Sequence, residues 1–209
     1  MIKLLVVDSH PIIRKGIELL FVASKDIKVV GGVSNGEAIF DFLKQEKADV
    51  ILSEIDLPKL NGITALRRLS KEYPQIKVLM FSSQPEEIYA LNTIKAGASG
   101  YLSKNANIIT IREAIMKVAE GNNYLSNNLA SKVAFGRHIS KSTKSPYKKL
   151  STREIEVLKL ISVGRKNKEI AKELDINEKT VSTYKARLMK KLHVENIVDL
   201  INRAKLMEF

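Results

Sequence analysis

The chain of 209 residues contains no cysteine, and this excludes a disulfide framework, a thiolate metal centre and a cysteine nucleophile. It has no apolar run near the roughly 18 residues of a membrane span. Its opening, Met1-Ile2-Lys3-Leu4-Leu5-Val6-Val7-Asp8, meets a carboxylate too soon for a secretory signal, so a cytoplasmic protein with no membrane partner is expected. No Gly-rich phosphate loop occurs, and Asn35-Gly36 and Asn61-Gly62 read as loop punctuation. The three histidines, His10, His138 and His193, stand too far apart to pair as metal ligands. What is present is ordinary globular material, 44% hydrophobic and 28% charged, long enough for two small domains with real cores.

Charge is unevenly distributed. Residues 1–120 carry 16 Lys and Arg against 14 Asp and Glu, while residues 121–209 carry 19 against 9. A small basic unit after a nearly neutral one suits a polyanion, nucleic acid first and an anionic membrane surface second, although lysine-rich surfaces also serve solubility.

Short apolar runs alternate with helical periods five times in the first half. Strands are expected at Ile2–Val7, Ile27–Gly31, Asp49–Glu54, Lys77–Ser82 and Gly100–Leu102. Helices are expected at Pro11–Val22, Asn35–Gln45, Gly62–Glu72, Pro85–Ala96 and Asn107–Glu120. Strands joined through helices run parallel with right-handed crossovers. The fold class is therefore α/β, a doubly wound (βα)5 sheet of the flavodoxin-like type with its functional groups at the carboxyl ends of the strands. Those ends carry Asp8, Glu54, Ser82-Ser83 and, just beyond, Lys104: two carboxylates, hydroxyls and an ammonium at one edge.

The period fades after residue 121. A short helix can occupy 124–135, and Ser140-Lys141-Ser142-Thr143-Lys144-Ser145-Pro146 reads as a polar linker. An all-helical unit follows. Ser151 and Glu154 form a capping-box signature for a helix that Gly164 should end. Asn167 can cap a short helix Lys168–Leu174, the turn Asp175-Ile176-Asn177 precedes a longer one at Glu178–Leu192, and a last helix spans Ile197–Met207.

Residues 1–121 resemble a response-regulator receiver domain. The resemblance rests on Val6-Val7-Asp8-Ser9-His10-Pro11, Leu57-Pro58-Lys59-Leu60-Asn61-Gly62, Phe81-Ser82-Ser83 and Gly97-Ala98-Ser99-Gly100-Tyr101-Leu102-Ser103-Lys104. Residues 147–209 resemble a LuxR-type helix-turn-helix, through Leu150-Ser151-Thr152-Arg153-Glu154, Asn167-Lys168-Glu169-Ile170-Ala171 and Lys179-Thr180-Val181-Ser182-Thr183-Tyr184-Lys185. Order and spacing together are similar to the NarL/FixJ class of bacterial response regulators, with residues 122–146 as the linker.

The resemblance implies a nucleophilic Asp after strand three and a Mg²⁺ ion held by two acids after strand one, because a dianionic phosphoryl group needs a divalent cation to approach a carboxylate. Here Glu54 stands at the phosphoacceptor position and Ser9 replaces the second acid, leaving Asp8. A neutral hydroxyl supplies no charge, so Mg²⁺ binding is expected to be weak. Asp56 lies two residues past the acceptor position and is not expected to act as nucleophile. Ser82 and Tyr101 match the switch residues, and Lys104 the lysine that pairs with the phosphoryl group. Glu54, one methylene longer than Asp, can present its carboxylate to Lys104 and Ser82. Two histories fit: a natural receiver that no longer needs phosphorylation, favoured by Ser9, or a substitution made to imitate the active state.

By the same resemblance Glu178–Leu192 is the recognition helix of a DNA reader. Val181, Leu188 and Leu192 fall on its core side with Tyr184 and Met189 beside them. Lys179, Thr180 and Thr183 suit phosphates, Ser182, Lys185 and Ala186 can meet bases, and Arg187 faces out with them. The last helix dimerises in this family, and Ile197, Leu200, Ile201 and Ala204 form its apolar stripe, part of which must close the domain core. The expected protein is a homodimer on inverted half-sites of double-stranded DNA, with a histidine kinase as a further candidate partner. Two other readings stay open: a conventional receiver phosphorylated on Glu54 by a histidine kinase, and an interaction module that titrates a kinase.

Overall fold

The computed structural model describes residues 1–126, 130 and 150–205, and no helix among them is long and apolar enough to cross a membrane. The expected helix at 124–135 and the linker at 122–146 fall mostly outside these residues. So do His138 and the end of the last expected helix at Met207. The chain divides into two compact units, Met1–Ser131 and Lys132–Phe209.

In the first unit, five parallel strands run in the order β2-β1-β3-β4-β5: β1 Ile2–Val7, β2 Ile27–Val33, β3 Val50–Ser53, β4 Lys77–Ser82 and β5 Gly100–Ser103. The helices between and after them are α1 Pro11–Phe21, α2 Gly36–Gln45, α3 Gly62–Glu72, α4 Glu86–Lys95 and α5 Ile108–Ala119. Side chains alternate across a strand, so each face of the sheet takes every second residue. Leu4, Val6, Val50, Leu52, Leu79, Phe81 and Leu102 pack with Ile17 and Phe21 of α1 and with Ile111, Ala114, Ile115 and Val118 of α5. Leu5, Val7, Ile51, Val78 and Met80 are equally buried, as are Ile39, Phe40, Ile63, Leu66, Leu69, Tyr89 and Ala90 from α2, α3 and α4. Near-continuous apolar strands are what a sheet covered on both faces requires.

Several strand ends differ from expectation by a residue or two, and two of the differences bear on the site. Strand β2 runs on to Val33, because a register shift pairs Leu4 with Val29 but Leu5 with Gly31, and the bulge carries the ladder past the glycines. A Cβ at Gly31 would stand 2.4 Å from the Phe42 ring, so a larger residue there would have to displace that ring. Strand β3 stops at Ser53, which leaves Glu54 just outside it. At the far edge Tyr124 forms an isolated parallel bridge with Gly100 of β5.

The second unit has four described helices: α6 Thr152–Ser162, α7 Asn167–Glu173, α8 Glu178–Leu192 and α9 Ile197–Lys205. The expected capping box is present. The Ser151 hydroxyl accepts from Glu154 N at 3.3 Å, and Glu154 accepts from Ser151 N at 2.6 Å. Lys191 near the end of α8 donates to the same carboxylate at 2.7 Å, tying the two helices. Burial opposes the charge of Glu154, but Lys191 and Ser151 outweigh it and hold its carboxyl below the ordinary range. Asn167 was expected to cap α7. It is instead the first helical residue, and Lys166 holds the cap position with its N–H donating to Glu169 at 2.7 Å.

Candidate functional site

Four adjacent strands deliver the acidic pocket. The ladder continues one residue past the strand ends: Glu54 N donates to Val7 O at 2.9 Å, Asp8 N to Val33 O at 3.1 Å and Lys104 N to Ser82 O at 3.0 Å. This puts Asp8, Glu54, Ser82 and Lys104 at one level, with Asp8 1%, Glu54 5% and Ser82 0% exposed. Gly62 lets the start of α3 press against the same loop, since a Cβ there would lie 2.1 Å from Glu54 O.

The ammonium of Lys104 stands between the two acids, 2.5 Å from Asp8 Oδ2 and 2.5 Å from Glu54 Oε2. The other oxygens are also engaged. Glu54 Oε1 accepts from Ile55 N at 2.5 Å, from Asp56 N at 3.3 Å and from the Ser82 hydroxyl. Asp8 Oδ1 accepts from His10 N at 2.8 Å and lies 2.8 Å from His10 Nδ1. Burial works against ionised Asp8, but hydrogen bonds from Lys104 and His10 more than compensate and lower its pKa. Burial likewise opposes the charge on Lys104, and its contacts with Asp8 and Glu54 prevail and raise its pKa.

Tyr101 is buried beside this group and donates to Gln84 O at 2.6 Å; burial pushes its hydroxyl pKa up. Gln84 in turn donates to Asp56 Oδ2 at 2.5 Å, linking the loop after β4 to the loop after β3. The Asp56 residue is exposed, with its N–H directed back to Glu54 Oε1. The Ser9 hydroxyl lies 3.4 Å from His10 Nδ1, the ring nitrogen that meets Asp8. The residues that sequence reasoning missed are His10 and Gln84. His10, two residues after Asp8 and just before the first-turn Pro11, stands where a backbone N–H returns to an acid, so its position carried a signal. Gln84 carried none.

Receiver domains generally bind Mg²⁺ for phosphorylation. The donor set here suits that ion poorly. Ser9 adds no charge, both anionic oxygens that face each other are taken by Lys104, and among the described residues no group of three His, Asp or Glu could hold a metal.

On α8, Val181, Leu188 and Leu192 face the core, and Asn177 caps the start by accepting from Thr180 N at 2.7 Å. Lys179, Ser182, Thr183, Ala186 and Arg187 are exposed, while Thr180 and Lys185 are half-buried. The hydroxyl of Thr180 donates to Asn177 Oδ1 at 2.8 Å and that of Thr183 to Lys179 O at 3.0 Å. On α9 the apolar stripe divides. Leu200 and Ala204 are 0% exposed and close the domain core, which corrects their assignment to a dimer surface. Among the described apolar residues of α9, Ile197 and Val198 are exposed and Ile201 is half-buried, which leaves these accessible to a partner.

Two family models match the chain. One is the response regulator receiver domain, over residues 4–116; the other describes bacterial regulatory proteins of the luxR family, over residues 148–204. Response regulator UvrY of Escherichia coli is 33% identical over 204 residues, covering 98% of this chain and 94% of that one. Response regulator GacA of Pseudomonas aeruginosa is 33% identical over 200 residues, covering 96% and 94%. Among solved structures, RcsB from Salmonella enterica serovar Typhimurium, bound to promoter P1flhDC in the presence of the phosphomimetic BeF3⁻, gives a TM-score of 0.74 at 25% identity over 97% of this chain and 98% of that one.

Proposed function

Because the chain belongs to the NarL/FixJ class of DNA-binding two-component response regulators, we propose that it regulates transcription from the cytoplasm with a receiver, residues 1–121, whose state is set by folding rather than by phosphorylation. A linker at 122–146 joins that receiver to a DNA-binding domain at 147–209, which acts as a homodimer on inverted half-sites.

The observation that carries this reading is the Lys104 ammonium held between Asp8 and Glu54, with the Ser82 hydroxyl on the same Glu54 carboxylate. The resemblance assigns Lys104 and Ser82 to a phosphoryl group, and here one carboxylate gathers both with a charge of −1 in place of nearly −2. In-line attack on a phosphodonor needs an oxygen that can leave its partners and align. Both Glu54 oxygens are engaged, and the cation that would neutralise the incoming donor has only a weak site. A histidine kinase can then dock without transferring a phosphoryl group.

On the DNA side, Lys179, Thr180 and Thr183 hold phosphates, Ser182 and Lys185 meet bases, and Arg187 adds charge along the same helix. Ile197 and Ile201 supply the dimer contact. The test is intact-mass spectrometry after acetyl phosphate and Mg²⁺, together with duplex binding before and after. We expect no added phosphoryl group and unchanged binding. Stoichiometric, Mg²⁺-dependent phosphorylation of the unmodified chain would overturn the proposal in favour of a conventional receiver.

A further inference from the structure

Asn167 belongs to α7, outside the recognition helix, yet it touches two of the residues assigned to base reading. Its Nδ2 donates to Ser182 Oγ at 3.2 Å, and its Oδ1 accepts from Lys185 Nζ at 3.2 Å. Ser182 and Lys185 are three residues apart on α8 and so share a face. The Ser182 hydroxyl spends its one proton on Glu178 O at 3.1 Å. It can therefore only accept from Asn167, and this fixes which end of the amide points where. With the NH₂ committed to Ser182, the amide oxygen faces Lys185.

A lysine has four flexible bonds and three equivalent donors, and left alone it pairs with any nearby anion, phosphate included. Held by Asn167, Lys185 commits one N–H to protein and keeps two for DNA from a fixed position, half-buried against α8. Adjacent acceptors on one base suit such a group, and guanine O6 and N7 are that pair in the major groove. We infer that Asn167 is a positioning residue that makes Lys185 select guanine at one step of each half-site. The inference rests on the DNA-reading proposal above and adds to it a specificity determinant on a different helix.

The full-length chain is used to select from a random duplex library, and the enriched sequences are compared with those of variants. The unmodified chain should enrich guanine at one step per half-site. Asn167→Ala should reduce the preference for guanine there by about three- to ten-fold, the effect of one hydrogen bond, with the thermal midpoint and the affinity for random duplex preserved. Lys185→Ala should lose the same preference, and the double variant should lose no more than Lys185→Ala alone. Asn167→Asp keeps an acceptor for Lys185 and should retain the preference while its charge lowers affinity for every sequence. An unchanged preference in Asn167→Ala, or a uniform loss across all sequences, would overturn the inference and leave the DNA-reading proposal standing. Failure of the unmodified chain to enrich any sequence would overturn that proposal and the inference with it.

Discussion

Replacing Lys104 with Met tests the pocket most directly, because the side chain keeps most of its length and apolar stem and loses its charge. The ammonium lies 2.5 Å from an oxygen of Asp8 and 2.5 Å from an oxygen of Glu54, so those two oxygens are at most about 5 Å apart. At that separation, with an effective dielectric constant of about 20, two carboxylates repel by about 3 kcal/mol, and both attractions to Lys104 vanish as well. Relief of the lysine's own desolvation offsets part of this. Removing one member of a buried ionic group usually costs about 3–5 kcal/mol, a large share of the 5–15 kcal/mol by which a domain is stable.

The pH dependence carries a sign. In the native chain the pKa of Asp8 is lowered, so its contribution is present above the unfolded value, about pH 4, and is lost as pH falls through the folded value. In the variant, burial acts on Asp8 without the ammonium, its folded pKa moves up, and the folded state gains protons as pH falls. The deficit of Lys104→Met relative to the native chain should therefore be largest at pH 7 and shrink toward pH 5. Hydrogen exchange of β1 and β3 peptides in urea, read by mass spectrometry at both values, measures it within the first unit. A deficit under 1 kcal/mol at pH 7, or one independent of pH, would refute the reasoning.

Glu54→Asp should restore acetyl phosphate labelling only partly, and Glu54→Asp with Ser9→Asp substantially more, since the pair rebuilds both the nucleophile and the cation site; full recovery by the single change, seen by intact mass, would contradict this. Lys179→Ala should reduce the slope of log affinity against log salt by about 0.9, while Lys185→Ala should lower affinity for the selected site by about 1–3 kcal/mol with little change in slope, both read by fluorescence anisotropy. Leu200→Glu buries a charge in a closed core and should unfold the second unit by circular dichroism, whereas Ile197→Glu should leave it folded and reduce the complex on DNA from two chains to one by light scattering.

The alternation of apolar runs and helical periods sufficed for all five strands of the sheet and for the convergence of Asp8, Glu54, Ser82 and Lys104, because both follow from chain order and parallel topology. The bulge after Val29 was not legible, since a Gly-Gly pair reads as punctuation unless the neighbouring Phe42 is known to lie against it. On α9, Leu200 and Ile201 look alike in sequence, and only the packing of α9 against the rest of its unit separates a buried residue from a half-buried one. The same limit applies to Asn167. A polar residue before an apolar run satisfies the rule for a cap, and its real partners, Ser182 and Lys185, lie fifteen and eighteen positions away on another helix.

The clamp of Lys104 between Asp8 and Glu54 also bears on how such a protein can carry information. A receiver that is phosphorylated and dephosphorylated has an adjustable set point, and the fraction of active molecules reports a stimulus. Under the function proposed above, with a lysine of the same chain as counter-ion, that fraction becomes a constant of the sequence. The remaining variable is the number of molecules in the cell, so the dose at the operator would follow synthesis and proteolysis. A dimeric reader makes that dose response steeper than linear, because occupancy at low abundance rises with the square of chain concentration.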